Sequence, residues 1–569
     1  MILQALVKHY EDLVARGAVA PPGWGEAKVS VALYIDENGS LVHAASVQTE
    51  QKKGKKTVLA PQTMEVPAPV KRSVNVEANF LCDHSGYLLG ADHKGKPGRT
   101  EQCFEACKRP HMQILQDVDS PGARALFHFF ETWEPAQAEE HPVLRENWDE
   151  IISGCNLVFR YGYIYLQQDP DIRQAWQAHY LASGDGPEMT CLVTGKKGPV
   201  EATHPAVKGI KGAQPSGAAL VSFNEPAFCS YGKKQNYNAP TSQYAAFAYT
   251  AALNHLIADR EHVSYIGDTA VLSWAEGAEP AYQGMLCGVL LGLPQPYSAE
   301  ELQKKVIRMA AGYPVEFQEK CLDPNRTFCI LGIAPNAGRL SVRFFLKNSF
   351  GAFMKNMAVH QERLSIIRPA NDPFPTIPLW KLLSETVSQN AKEKNASPNM
   401  AGDVLRAILM NTRYPATLLN GVTLRIRAEH EITRGRAAIL KAYYSKNKHK
   451  DVPEEVLTVS LNPESTSVPY QLGRLFAILE HIQSAANPGI NSTIKDKYFN
   501  SASATPAVIF PVLVNLAQKH LRKIGGGLQV LLEQELSAVM EKLGECYPVR
   551  LNLAQQGAFQ LGYYHQTQA

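Results

Sequence analysis

Net charge is almost missing from this chain: 57 Lys and Arg stand against 54 Asp and Glu in 569 residues, a formal balance of +3. Taken alone, that figure argues against a dedicated nucleic-acid binder, which carries a strongly basic excess. Long apolar runs are missing too. The longest weakly polar stretch, Gly284 to Pro294, is far short of the ~20 residues that span a bilayer. Met1 to Gly17 carries Lys8, Glu11, Asp12 and Arg16 and holds no apolar segment of signal-peptide length. The 10 cysteines are scattered between Cys82 and Cys546, without the short paired spacings of a zinc module or a disulfide framework. They read as free thiols of a reducing compartment, so the expectation is a cytoplasmic protein with no membrane partner. Apolar residues at 45% and charged residues at 20% exclude global disorder.

Catalytic signatures are absent as well. There is no GxxxxGK[ST], no HExxH and no G-x-S-x-G, and no GxGxxG follows a strand. ATP hydrolysis, zinc proteolysis and serine-hydrolase chemistry have no motif support, and no cofactor or metal is implied. Cys103-x3-Cys107, with His84 and His111 as further ligands, is the nearest approach to a metal set. Two ordinary thiols on one helix explain it more simply. Cys82-Asp83-His84 places neighbouring side chains on opposite faces of a strand, which does not build a nucleophile and its base. A metal-dependent nuclease or other hydrolase assembled from distant residues remains the alternative.

The pattern along the chain predicts an α+β fold. At about 150 residues per domain the length suggests three or four domains. Ile2, Leu3, Leu6, Tyr10 and Leu13 share one face of an N-terminal helix. Val29–Ile35 and Leu41–Val47 alternate as strands around a Glu37-Asn38-Gly39 turn. Residues 90–190 read as mostly helical. Strand patterns return at Ala270–Trp274, Phe328–Ile333 and Arg339–Leu346. From about Ile377 the spacing is helical, interrupted by a polar linker at 447–469. Thr505-Pro506 reads as an N-cap with Pro at the first helical position, and Gly525-Gly526-Gly527 as the stop. The division expected is a large mixed α/β domain over 1–376 and a C-terminal helical domain over 377–569, whose last part, 468–569, forms a small bundle.

Charge is concentrated locally. Glu131–Glu150 has seven acids and one base, a balance of −6. Gly421–Lys450 has eight bases against Glu429 and Glu431, a balance of +6. In that block Arg427, Arg434, Lys441 and Lys448 repeat every seven residues, with Arg425 and Arg436 beside them. One continuous helix would align them along a phosphate backbone, whereas a break near Gly435 would leave an ordinary solvated face. Arg474, Lys495, Lys497, Lys519, Arg522 and Lys523 add cations to the C-terminal bundle. The segment Thr203–Ser242 mixes lysines with glycines, amides, Tyr231 and Tyr237. That mixture suits a surface meeting sugar-phosphate and base edges in a groove. It equally suits a long turn-rich connection held by Asx turns.

Within that segment, KGIKGAQPSGAALVSFNEPAFCSYGKKQNYNAP resembles the central motif of the large subunit of type I-C CRISPR interference complexes (Cascade). MILQALVKHYEDL, NFLCDHSGYLLG, GDTAVLSWAE, ILGIAPNAGRLSVRFF, VPYQLGRLFAILEHIQSAANPGINSTIKDKYFNSASATPAVIFP and QQGAFQLGYYHQ resemble the same family, in the same order, over essentially the whole chain. The resemblance implies a non-enzymatic subunit of an RNA-guided complex. Guide RNA pairing would read the target, and this subunit would read a short protospacer-adjacent motif on duplex DNA, by analogy with another RNA-guided effector. It also implies help in strand separation and R-loop formation, stabilisation of the displaced strand and recruitment of a helicase-nuclease. The implied partners are CRISPR RNA with backbone and small subunits, target double-stranded DNA and that helicase-nuclease. The C-terminal bundle resembles the small subunit of related complexes.

The resemblance does not assign base-reading residues, so the candidates come from residue chemistry. For the adjacent-motif duplex they are Lys208, Lys211, Gln214, Asn224, Lys233, Lys234, Gln235, Asn236 and Asn238, with Lys71, Arg72 and Asn75 as a second loop. For the displaced strand or a backbone they are Arg425, Arg427, Arg434, Arg436, Lys441, Lys519, Arg522 and Lys523.

Overall fold

The computed structural model describes residues 1–53, 56–70, 76–93, 97–182, 186–261, 263–392 and 395–569. It is an α+β protein in two compact units, Met1–Ala206 with Val221–His255, and Val207–Leu220 with Leu256–Ala569.

The first unit opens with α1 (Ile2–Ala15), which buries Leu6, Tyr10 and Leu13 along the face its spacing predicts. β1 (Trp24–Ile35) and β2 (Leu41–Ser46) form the expected hairpin. Asp36 Oδ1 accepts the N–H groups of Asn38 and Ser40 there, and Gly39 takes the left-handed conformation. β3 (Gln62–Pro67) pairs with the first half of β1. β4 (Cys82–His84) and β6 (Ile164–Tyr165) both pair with β5 (Asn156–Tyr161), which runs parallel to β1.

This six-stranded sheet packs Val31, Leu33, Leu157 and Phe159 against α2 (Pro97–Leu115) and α3 (Pro121–Thr132), which supply Phe104, Phe129 and Phe130. Each fully buried Phe contributes about 1.5–3 kcal/mol of transfer free energy. β5 lies inside the region whose composition reads as helical. Its six residues carry too short a pattern to stand out between helices, and only pairing with β1 makes them a strand. Helix α4 (Pro170–Ala182), the short hairpin β7 (Glu188–Thr190) and β8 (Lys197–Pro199), and α5 (Gln243–Ala258) follow.

The second unit holds an antiparallel four-stranded sheet, β9 (Ser264–Ile266), β10 (Thr269–Ala275), β11 (Thr327–Asn336) and β12 (Arg339–Ser349), in that spatial order. All seven residues of β10 are buried. α6 (Ala281–Leu291) and α7 (Phe350–Leu364, capped by Ser349) supply Met285, Phe353 and Met357 to the cluster that buries Phe328 and Ile330.

Among the described residues no strand follows Ser349. The remaining helices include α8 (Ala416–Glu429), α9 (Arg434–Asn447), α10 (Val468–Ala486), α11 (Ile494–Ala504), α12 (Pro506–Ile524), α13 (Gly526–Glu541) and α14 (Leu553–Thr567). Residue 376, where composition turns helical, lies within the span of one hydrophobic cluster that runs from Ile266 to Tyr564. In the C-terminal bundle α10 and α14 are the buried pair, and two glycines set their close approach. A Cβ on Gly473 would lie 1.9 Å from the Phe559 carbonyl oxygen, and one on Gly562 2.1 Å from that of Tyr470. Among the described residues no helix is long and apolar enough to cross a membrane.

Candidate nucleic-acid interface

The segment Thr203–Ser242 divides between the units, so its candidate residues fall into two groups. In the second unit Val207 and Ala218 exchange backbone hydrogen bonds of 2.9 and 2.8 Å, closing the loop between them. Gly209, Gly212 and Gly217 take left-handed φ within that loop. Ala219 then joins the edge of β12: its N–H donates to Gly338 O, and its carbonyl accepts from Leu340 N–H, both at 3.0 Å. Lys208, Lys211 and Gln214 are exposed on this closed loop. The Lys211 N–H donates to Tyr265 Oη at 3.3 Å.

In the first unit, residues 230–238 form a braced loop. Asn238 Oδ1 accepts the Ser230 N–H at 2.8 Å, and its Nδ2 donates to the carbonyls of Gln235 at 2.9 Å and Lys233 at 3.3 Å. One amide thereby fixes both ends of the turn. Asn236 is 3% exposed; its N–H donates to Ala202 O and its Nδ2 to Val221 O. These two asparagines, expected at base edges, spend these hydrogen bonds on backbone, Asn238 within the loop and Asn236 on Ala202 and Val221 beside it.

The loop turns outward through left-handed Tyr231 (φ 54°), Gly232 and Gln235 (φ 47°). A non-glycine residue held there costs about 1–3 kcal/mol, a strain found where surrounding bonds over-determine the conformation. Lys233, Lys234 and Gln235 are exposed, and Tyr231, which composition leaves between stacking and packing, is 98% exposed. Asn224 is exposed on the approach to this loop. Lys71, Arg72 and Asn75 lie outside the described residues.

The basic block at 421–450 is a correction. α8 ends at Glu429, His430 turns left-handed at φ 53°, and α9 starts at Arg434, so the seven-residue repeat runs across two helices and makes no single stripe. Arg436 is fully buried between Glu385 and Glu429, with Nη1 donating to Glu431 O at 2.9 Å. Arg434 pairs with Asp372 at 3.1 Å and donates to the carbonyls of Phe374 and Pro375.

Lys441, 5% exposed, donates to Arg363 O at 3.1 Å and Glu362 O at 3.4 Å, the carbonyls at the end of α7. Burial lowers its pKa, and Glu362 partly offsets this. Arg425 lies 3.8 Å from Glu429, and Arg427 Nη2 donates to Gln556 Oε1 at 2.8 Å. The local count missed Asp372 and Glu385, which arrive from a distant part of the chain. Arg474 is also buried, donating to Gln566 and Gln471. Lys519, Arg522 and Lys523 stay exposed on the last turns of α12.

The cysteine–histidine neighbourhood is occupied by the backbone. His111 is fully buried; Nε2 accepts the N–H of left-handed Leu81 at 2.9 Å, and Nδ1 donates to Cys107 O at 2.7 Å. Burial lowers its pKa to about 4, with that backbone bond and Asp83 acting the other way. Asp83 accepts the N–H groups of Asn79 and His84. Among the described residues no three His, Cys, Asp or Glu side chains gather as a metal site.

A family model described as CRISPR-associated protein (Cas_Csd1) matches residues 6–569. No curated protein matches the chain.

Proposed function

The chain belongs to this CRISPR-associated family, and from that premise we propose that it is the non-catalytic large subunit of a type I-C RNA-guided surveillance complex, reading the protospacer-adjacent motif in duplex DNA. The observation that carries the reading is the braced loop at 230–238, which offers Tyr231, Lys233, Lys234 and Gln235 to solvent while Asn238 and Asn236 hold its shape. Two lysines set between an exposed aromatic ring and an amide fit duplex entered from the minor groove. The cations meet phosphates, the amide meets the degenerate base code, and the ring lies against a base step. Asn224 in the first unit, and separately Lys208, Lys211 and Gln214 in the second, are proposed as further contacts to duplex DNA.

Guide RNA pairing then supplies sequence specificity, and this subunit starts strand separation and R-loop formation. The exposed cations Lys519, Arg522 and Lys523 hold the displaced strand in this reading. The other implied partners are the backbone and small subunits and the helicase-nuclease that degrades the target.

Lys233→Ala with Lys234→Ala tests the reading in the assembled complex. Each lost phosphate contact lowers the slope of log K against log salt by about 0.9, so the expected fall is about 2. An unchanged slope on adjacent-motif duplex overturns the assignment of this loop. Robust metal-dependent DNA cleavage by the isolated chain overturns the non-catalytic reading.

A further inference from the structure

A second cationic feature lies in the first unit, lined by none of the residues of the 230–238 loop. It is a groove of about 640 Å3 with three walls: α1, the turn between β7 and β8, and the start of α5. The walls are tied to one another. Gln4 Nε2 donates to Val193 O at 3.2 Å, joining α1 to the turn. The Leu192 N–H donates to Pro240 O at 2.9 Å, joining the turn to the approach of α5. Tyr244 Oη donates to Glu11 Oε1 at 3.2 Å, and Tyr10 sets its ring edge-on to Tyr244 and Phe247, joining α5 back to α1. The buried Cys191 Sγ accepts N–H bonds from Thr194 at 3.4 Å and Ser242 at 3.3 Å, so one atom fixes the turn to the beginning of the helix. A groove braced on every side is preformed, and binding to it orders little chain.

Its charge leans positive. Lys8 comes from α1, Lys196 from the turn and Lys197 from the start of β8. Among the described residues Glu11 is the one acid of the lining, and the Tyr244 hydroxyl holds it; Asp12, 3.5 Å from Lys8, stands outside. Counting Asp12, which pairs with Lys8, the groove carries three cations against two anions, a balance of +1, with Lys196 and Lys197 on the opposite wall. Thr194 adds a hydroxyl and Tyr244 a ring. A space of about 640 Å3 takes a short length of one strand and is too small for the two paired strands of a duplex, so double-stranded nucleic acid does not enter. Cations on two walls with an aromatic ring on the third match a strand that alternates phosphates and flat bases. An acidic peptide would satisfy the cations but offers no flat base to the ring.

We propose that this groove holds a segment of single-stranded nucleic acid, with Lys8, Lys196 and Lys197 on its phosphates and a base against Tyr244. The proposal rests on the reading of the chain as a subunit of an RNA-guided complex, and it assigns a site separate from the duplex-reading loop.

The test uses the full chain with two fluorescent 12-mers, oligo-U and oligo-dT, each carrying one thio-substituted photoreactive base. Crosslinked peptides are mapped by mass spectrometry, and affinity is followed by anisotropy across a salt series. Expected are crosslinks within 191–199 or 242–244. Lys8→Ala, Lys196→Ala and Lys197→Ala combined should lower affinity about tenfold or more and reduce the salt slope by about 2, at ~0.7 per phosphate on a single strand. The corresponding Arg triple should retain both affinity and slope. The stronger-binding 12-mer identifies the strand as RNA or DNA.

Crosslinks confined elsewhere, or an Ala triple with unchanged affinity and slope, overturn the proposal. Should the Ala triple fail to fold, the crosslink map and the Arg triple decide. A Lys233→Ala/Lys234→Ala arm on adjacent-motif duplex separates the two readings. If that arm responds while single-strand binding ignores the groove, only this proposal falls.

Discussion

The loop at 230–238 keeps its lysines in water, while the block at 421–450 takes Arg434, Arg436 and Lys441 out of it. Both segments concentrate cations, so their charge counts look alike. They differ in what surrounds each cation. In α9 the cations alternate with Ala437, Ala438, Ile439, Leu440 and Ala442, all buried, and the helix carries the charged side chains inward with its apolar ones. Glu385, Glu429 and Asp372 meet them there. Near Tyr231 the chain offers a glycine, amides and left-handed residues and no apolar stripe, so nothing draws Lys233 and Lys234 inside. Cation density therefore does not locate a nucleic-acid surface; the apolar company each cation keeps decides whether it reaches solvent.

The largest effect that could break this contrast is on stability. Arg436→Ala leaves Glu385 and Glu429 without the buried guanidinium between them, which costs about 3–5 kcal/mol. Chemical denaturation should show that loss. Lys233→Ala with Lys234→Ala should stay within about 0.5 kcal/mol of the parent, as exposed sites do. Equal stability losses in the two variants would erase the distinction between inward and outward cations.

Acid should separate the regions next. Burial and nearby Arg363 lower the His360 pKa to about 3, and burial and nearby Lys441 lower that of His565 to about 4. Both bind fewer protons folded than unfolded. The stability they allow is complete above about pH 6.5 and is lost as pH falls toward those values, on the order of a few kcal/mol each at the limit. Residues 230–238 contain no His, Asp or Glu. Duplex affinity through that loop should therefore hold, at constant ionic strength, down to the pH where unfolding begins. A fall in affinity that precedes any change in circular dichroism would contradict this.

The smallest effect sharpens the roles within the loop. Asn238→Ala removes the acceptor of Ser230 and the donor to Gln235 and Lys233. At about 0.5–1.5 kcal/mol per bond, the loop loses its brace while the rest of the fold stands. Affinity should drop for every adjacent-motif variant alike. Preferential loss on one motif would make Asn238 a base reader instead.

Much of the fold was legible locally. The face of α1, the Glu37–Gly39 turn, the cores of β10, β11 and β12, and the Pro506 start and Gly525 stop of α12 follow from periodicity and turn chemistry within a few residues. β5 was not legible, because its strand character comes from parallel pairing with β1 across more than a hundred residues. α14 falls within the bundle expected over 468–569 but was not placed as a helix of its own. Its helix reads weakly alone, since Gly557 and Gly562 oppose helix formation, and the second of these is there for the approach to α10.

For the site, residue type pointed to the stretch around Lys233, and only the fold assigned the roles within it. By itself the sequence determined family, fold class and which segments carry charge, because composition and motif order are properties of the chain. Tertiary structure alone decided which cations face water, that Asn236 and Asn238 brace while Tyr231 projects, and that Lys8 shares a groove with Lys196 and Lys197. Burial and pairing depend on partners brought together from distant positions, and no local pattern records them.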